Sequence, residues 1–157
     1  MRKSLLVGSL AVCSVFLLSS SVLAADNWLG TWKLNTAKSK YSPGPAPKSL
    51  TLKFEASGDA ITLTSDEVNA DGQPTHGSYT SNFDAKDVPW QGNPDADMAC
   101  PKRIDANHYS NVWKKDGKAT INAKAAVSKD GKTLTVTLTG KNAKGEAVNN
   151  TSVYDRQ

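Results

Sequence analysis

The chain has 157 residues, 22% of them charged, with 19 Lys and Arg against 15 Asp and Glu and a formal net charge of +4. Half of that excess is Arg2 and Lys3, and without them the charge is +2 with the remaining lysines scattered. A balance this even excludes the strongly basic stripe of a nucleic-acid-binding domain, and no nucleic acid partner is expected.

Arg2 and Lys3 precede an apolar run from Leu5 to Leu18, followed by Ser19-Ser20-Ser21 and Val22-Leu23-Ala24. A short basic region, an apolar stretch and a small residue at the end of it describe a secretory signal peptide over residues 1–24. The run is shorter than the roughly 20 residues a spanning helix needs, so no stable membrane insertion is expected after cleavage. The expected mature chain, residues 25–157, is one domain and is periplasmic or secreted. Cys13 leaves with the leader, so Cys100 is the sole remaining cysteine and no intramolecular disulfide forms.

The first strand is read in "LGTWKLN" (29–35), with Trp32 near its start. "TAKSKY" (36–41) suits a short helical turn, and "PGPAP" (43–47) then forces an extended run. "SLTLKF" (49–54) alternates, placing Leu50, Leu52 and Phe54 on one face. "AITLTSDEV" (60–68) and "THGSYTSNF" (75–83) follow across "SGD" and "NADGQP". Then come "HYSNVW" (108–113), "KATINAKAAV" (118–127), "KTLTVTLTG" (132–140) and "EAVNNTSVY" (146–154). Asp-Gly lies between alternating runs at 71–72, 116–117 and 130–131, and Lys144-Gly145 occupies the equivalent place. Such dipeptides are the clearest short hairpin signal. The segment 84–103 is the longest stretch without strand pattern. "NADGQPTHGSYTS" (69–81) and "NAKGEAVNNTSVY" (142–154) share Asn-Ala-x-Gly and a later tyrosine, which reads as one hairpin solution used twice.

The expected fold is therefore all-β, an antiparallel up-and-down barrel of eight to nine strands. Eight strands enclose room for side chains or one small ligand. In "TLTVTLT" (133–139), Leu134, Val136 and Leu138 share a face opposite four threonines, while "VNNTSVY" (148–154) has no strongly apolar face. That pattern predicts a narrow and modestly polar interior.

A Gly-x-Trp at the start of the first strand of a small all-β meander resembles the lipocalins and their fatty-acid-binding relatives. In those families an arginine of the last strand packs over the tryptophan. The matching positions are Gly30, Trp32 and Arg156, and the resemblance implies that they close one end of the barrel. "GTWKLN…AKSKYSPGPAPKS" and "VYDRQ" also resemble small exported lipocalin-like bacterial proteins of unknown function. Fatty-acid binders carry a helix-turn-helix lid after strand one, where this chain has Pro43, Pro45 and Pro47.

The aromatic residues Tyr79, Trp90, Tyr109 and Trp113 are the ligand-binding candidates, facing a small, partly apolar molecule in the barrel. The alternative is an interaction or inhibitor-type envelope module that meets a protein partner through rim loops 41–49 and 84–103. A third reading, an enzyme, rests on Cys100 with His76 or His108 as a nucleophile pair. No catalytic motif, no cofactor fingerprint and no metal-ligand spacing is present, so neither a cofactor nor a metal is expected. Nothing in the sequence sets the oligomeric state.

Overall fold

A computed structural model describes residues 26–157, and the expected signal peptide lies outside them. Ten strands are formed: β1 (Gly30–Leu34), β2 (Ser49–Ser57), β3 (Ala60–Val68), β4 (Pro74–Ser81), β5 (Val88–Pro89), β6 (Met98–Arg103), β7 (His108–Lys115), β8 (Lys118–Val127), β9 (Thr133–Lys141) and β10 (Ala147–Arg156). One turn of 3-10 helix, Thr36–Lys38, follows β1, capped by the Asn35 side chain. Among the described residues no helix is long and apolar enough to cross a membrane.

The strands form one antiparallel sheet in the order β4-β3-β2-β1-β10-β9-β8-β7-β6-β5. The first strand thus pairs with both the second and the last, setting Trp32 opposite Arg156 and Leu34 opposite Tyr154. The two ends of this sheet meet at a short seam. There Ser78 and Gln91 exchange backbone hydrogen bonds of 2.9 and 3.0 Å, and Asp84 forms a bridge with Lys102. The result is a nearly closed barrel, with few unpaired edge groups left to recruit another chain.

Ten strands rather than eight to nine arise because the segment expected to be irregular contributes β5 and β6. Both contain proline, which cannot donate to a ladder and so hides a strand from pattern reading. Pro101 is fully buried, and its carbonyl accepts from the Ala85 amide at 2.9 Å. Ala99 and Pro101 point inward and are buried, while Cys100 between them faces out.

The turns follow their residue chemistry. At the β7–β8 hairpin, Asp116 and Gly117 both take positive φ, +50° and +73°, the twist that suits a two-residue connection. The β3–β4 and β9–β10 turns are built alike. In the first, Asn69 Oδ1 accepts from the Gln73 amide at 2.8 Å; in the second, Asn142 Oδ1 accepts from the Glu146 amide at 2.9 Å. Gly72 and Gly145 then donate to the asparagine carbonyls at 3.0 and 2.9 Å. The shared Asn-Ala-x-Gly is therefore one Asn-anchored turn made twice.

Inward faces alternate along every long strand, and they differ between the two ends of the barrel. One end is packed solid by Trp28, Trp32, Phe54, Phe83 and Leu134, all buried. Tyr109 lies within this group, 5.4 Å from Trp28, 5.6 Å from Phe54 and 5.5 Å from Phe83 between ring centroids. Tilted and edge-on pairs of this kind each add about 0.5–1.5 kcal/mol beyond the area they bury. The other end is open.

Candidate functional site

The open end holds a cavity of about 490 Å³, within the range of sites for small molecules. It exists because the inward residues change character along the strands. On β3 the sequence runs Ile61, Leu63, Ser65, Glu67 toward the mouth, and on β10 Tyr154, Ser152, Asn150, Val148. Small or polar side chains leave space where the opposite end is filled by rings. Tyr79, Trp90, Tyr109 and Trp113 all line this cavity. Trp90 stands edge-on to both neighbours, 5.0 Å from Tyr79 and 4.9 Å from Trp113, so the three rings form one continuous aromatic wall.

Other lining residues did not emerge from the sequence. Tyr41, just past the 3-10 turn, shares a 2.9 Å hydrogen bond with Ser152. Asn111, buried in β7, donates to the Tyr79 hydroxyl at 3.3 Å and accepts the Cys100 amide at 2.9 Å. Burial drives the phenols of Tyr79 and Tyr154 far above the ordinary tyrosine range, so both remain neutral hydrogen-bonding groups. Glu67 is half-buried, and burial first, then the Asp95 charge, raises its carboxyl above the usual range. The phase of β3 held the available signal, because Glu67 stands four residues from Leu63 and so on the same face.

The proline segment forms part of the mouth. Pro43, Pro45 and Pro47 line it, without regular structure. It is tied to β10 by Ser42, whose amide donates to Asn150 Oδ1 at 2.9 Å and whose carbonyl accepts from Asn149 at 2.7 Å. Its far end is tied to β3 by the Lys48 amide on the Val68 carbonyl, 2.8 Å. The segment is thus a strap with both ends pinned across the cavity mouth.

Gly30, Trp32 and Arg156 lie outside the cavity lining. The Arg156 guanidinium sits 4.1 Å from the Trp32 ring centroid, in the distance range of a cation–π contact. It also donates to the carbonyls of Leu29 at 2.8 Å, Asn27 and Gly131. Gly30 has φ +119°, and a Cβ there would stand 2.9 Å from Arg156 Nη1; glycine gives the guanidinium its path. Trp32 Nε1 donates to the Trp28 carbonyl at 2.7 Å.

Cys100 and the two histidines are engaged apart. His76 pairs with Asp66 at 2.6 Å and His108 with Asp105 at 2.8 Å. The Cys100 thiol donates to the Ala85 carbonyl at 3.3 Å. Desolvation, then the Asp87 carboxylate, pushes this thiol up, which lowers its thiolate fraction at neutral pH. Alkylation of folded protein by iodoacetamide at pH 7 is therefore expected to run several-fold slower than that of free cysteine. Time-resolved mass spectrometry measures it, and labelling as fast as free cysteine would contradict this environment. Among the described residues, no group of three or more His, Cys, Asp or Glu is arranged to hold a metal ion.

No protein-family model and no curated protein matches the sequence. Solved structures do resemble it. The REP1-NXSQ fatty acid transporter superposes with a TM-score of 0.57 at 13% identity, covering 85% of this chain and 98% of that one. A Schistosoma mansoni fatty acid binding protein in complex with arachidonic acid gives 0.57 at 15%, over 83% and 96%. Zebrafish ileal bile acid-binding protein with cholic acid gives 0.50 at 12%, over 83% and 99%. At such identities the likeness is one of fold alone: this is an all-β, antiparallel, nearly closed barrel whose architecture resembles the calycin-type barrels of these proteins.

Proposed function

We propose that this protein is an exported ligand carrier or sensor that binds a small, partly apolar molecule in the open end of its barrel. The observation that carries the reading is the 490 Å³ cavity, walled by the Tyr79–Trp90–Trp113 aromatic run with a few convergent polar groups. This combination characterises small-molecule sites. Solved barrels similar to it in fold include ones with arachidonic acid and cholic acid bound, which supports the same reading. Export rests on the leader at residues 1–24 and favours the periplasm or the extracellular medium. The proline strap lines the cavity mouth, which supports a part for it in ligand access.

Gly77 provides the test. It faces inward on β4, where an added Cβ would meet Ser65 Oγ at 3.0 Å and Trp90 Nε1 at 3.1 Å. A valine there must push aside the Trp90 indole and the Ser65 hydroxyl, reshaping the aromatic wall without demanding a positive φ. Protein purified from its own host should release a bound small molecule in native mass spectrometry, and the variant should lose it. For an added ligand the affinity should drop by at least roughly tenfold, equivalent to about 1.4 kcal/mol. A folded variant with unchanged affinity, or a native protein carrying nothing and binding nothing, would sink the proposal.

A further inference from the structure

Three phenols stand at the floor of the cavity rather than at its mouth. Tyr154 faces Leu34 of β1, Tyr109 touches the rings of the packed end, and Tyr79 faces Leu63. Leu63 lies four residues from Glu67, or roughly 13 Å along β3. All three tyrosines line the cavity, and none is more than 4% exposed. Their hydroxyls are close enough to act on one another, Tyr79 on Tyr109 and Tyr109 on Tyr154.

The hydrogen bonds of this cluster are incomplete. The Tyr79 oxygen accepts from Asn111 Nδ2, so its own O–H is left to donate, and no acceptor among the described residues takes it. The Tyr109 hydroxyl has no partner among them; only burial and the neighbouring Tyr79 act on it. Buried hydroxyls are normally hydrogen-bonded. The unpartnered polar side-chain atoms that are sealed from water belong to Asp26, Trp28, Trp90 and Asp97. The Tyr109 oxygen is not one of them, and the space that reaches it inside the barrel is the cavity. Charge is absent at this depth, where Leu52, Leu63, Ile121 and Val136 line the same space. Among the described residues the lining holds no arginine, and its charged groups, Glu67, Asp71, Asp95 and Lys144, stand toward the mouth. Lys48 is there too, its Nζ 3.1 Å from where a Gly72 Cβ would begin. The mouth is therefore mixed in sign and the floor neutral.

We propose that the cavity takes an uncharged ligand with a hydrogen-bond-accepting carbonyl, as in a ketone, quinone or ester, seated against the Tyr79 and Tyr109 hydroxyls. This rests on the ligand-binding reading above and names its ligand class. A carbonyl oxygen offers two lone pairs and no proton, which matches donors that lack an acceptor. Its apolar body then lies along the Tyr79–Trp90–Trp113 wall. A carboxylate or ammonium carried to the same depth would lose its hydration without meeting a countercharge, which is unfavourable.

Four probes built on one naphthalene ring decide it: 2-acetylnaphthalene, 2-ethylnaphthalene, 2-naphthoate and 2-naphthylmethylammonium, titrated at pH 7 by isothermal calorimetry. The ketone should bind roughly threefold to tenfold more tightly than the ethyl compound, the worth of one neutral hydrogen bond. It should exceed both ions by at least roughly tenfold. Tyr79→Phe and Tyr109→Phe each remove one oxygen and keep the ring, so each should shrink the ketone's advantage over the ethyl compound. The double variant should bring that ratio to near one with the ethyl compound's affinity unchanged. Naphthoate or the ammonium binding as tightly as the ketone to the native protein would overturn the neutral preference while the cavity reading stands. An unchanged ratio in the folded double variant, or an equal loss for ketone and ethyl compound, would remove the phenols from recognition. Binding of none of the four would bring down the cavity reading and this inference together.

Discussion

Replacing Trp32 by alanine is expected to lower the unfolding free energy by about 3–5 kcal/mol, the cost of emptying a buried tryptophan site. Three effects combine there. The side chain is fully buried among the rings of the closed end, so its removal leaves a void that strands on both sides hold open. The Trp28 carbonyl loses the indole donor 2.7 Å away while still shut off from water. The Arg156 guanidinium loses the ring it covers at 4.1 Å. Urea unfolding followed by circular dichroism measures the sum, and Trp32→Phe should give a smaller loss because most of the volume stays. A loss below about 1 kcal/mol with impaired ligand binding would instead make Trp32 a ligand contact.

The second large effect is expected at Gly92, on the seam where the sheet ends meet. Its φ is +73°, and an added Cβ would fall 1.9 Å from the His76 carbonyl oxygen. That neighbour is backbone, so it cannot swing aside. Gly92→Ala must therefore lift residues 91–92 away from β4 and break the paired Ser78–Gln91 hydrogen bonds. Two such bonds at about 1 kcal/mol each, with roughly 1–2 kcal/mol of left-handed backbone strain, give a loss of about 3–4 kcal/mol. Gly145→Ala is the control, since its φ is +81° but nothing lies within 4 Å of the new methyl; it should lose only the strain. Equal losses in the two variants would show that the seam is not what Gly92 protects. Hydrogen exchange at the Ser78 and Gln91 amides reads the opening directly.

The barrel was legible in its turns more than in its strands. Asp116-Gly117 and the two Asn-Ala-x-Gly turns announce hairpins because their backbone angles demand those residues, whatever surrounds them. The strands β5 and β6 were hidden, since Pro89 and Pro101 break the local pattern and only pairing with the adjacent strands makes them part of the sheet. The aromatic candidates Tyr79, Trp90, Tyr109 and Trp113 were visible as large rings in an aromatic-poor chain, and the structure brings them to one cavity. What residue type could not convey was which end each ring serves: Tyr109 reaches the packed end, while Trp113 faces the open one. Glu67 escaped for a different reason. A carboxylate in "SDEV" reads as solvent-facing, and only strand phase together with closure of the barrel turns it inward.

The pairing of β1 with β10 also has a bearing on time. Leu29 and Arg156, joined by a hydrogen bond, are 127 residues apart in the chain. Bringing such distant segments together costs about 4 kcal/mol of loop-closure entropy before any contact repays it, and folding rates fall as contacts become more remote. Until β10 forms, β1 has one neighbour, the tryptophan end is open to water, and the cavity lacks the wall that carries Tyr154 and Ser152. The cavity wall and the sealed end are therefore completed by the same long-range pairing.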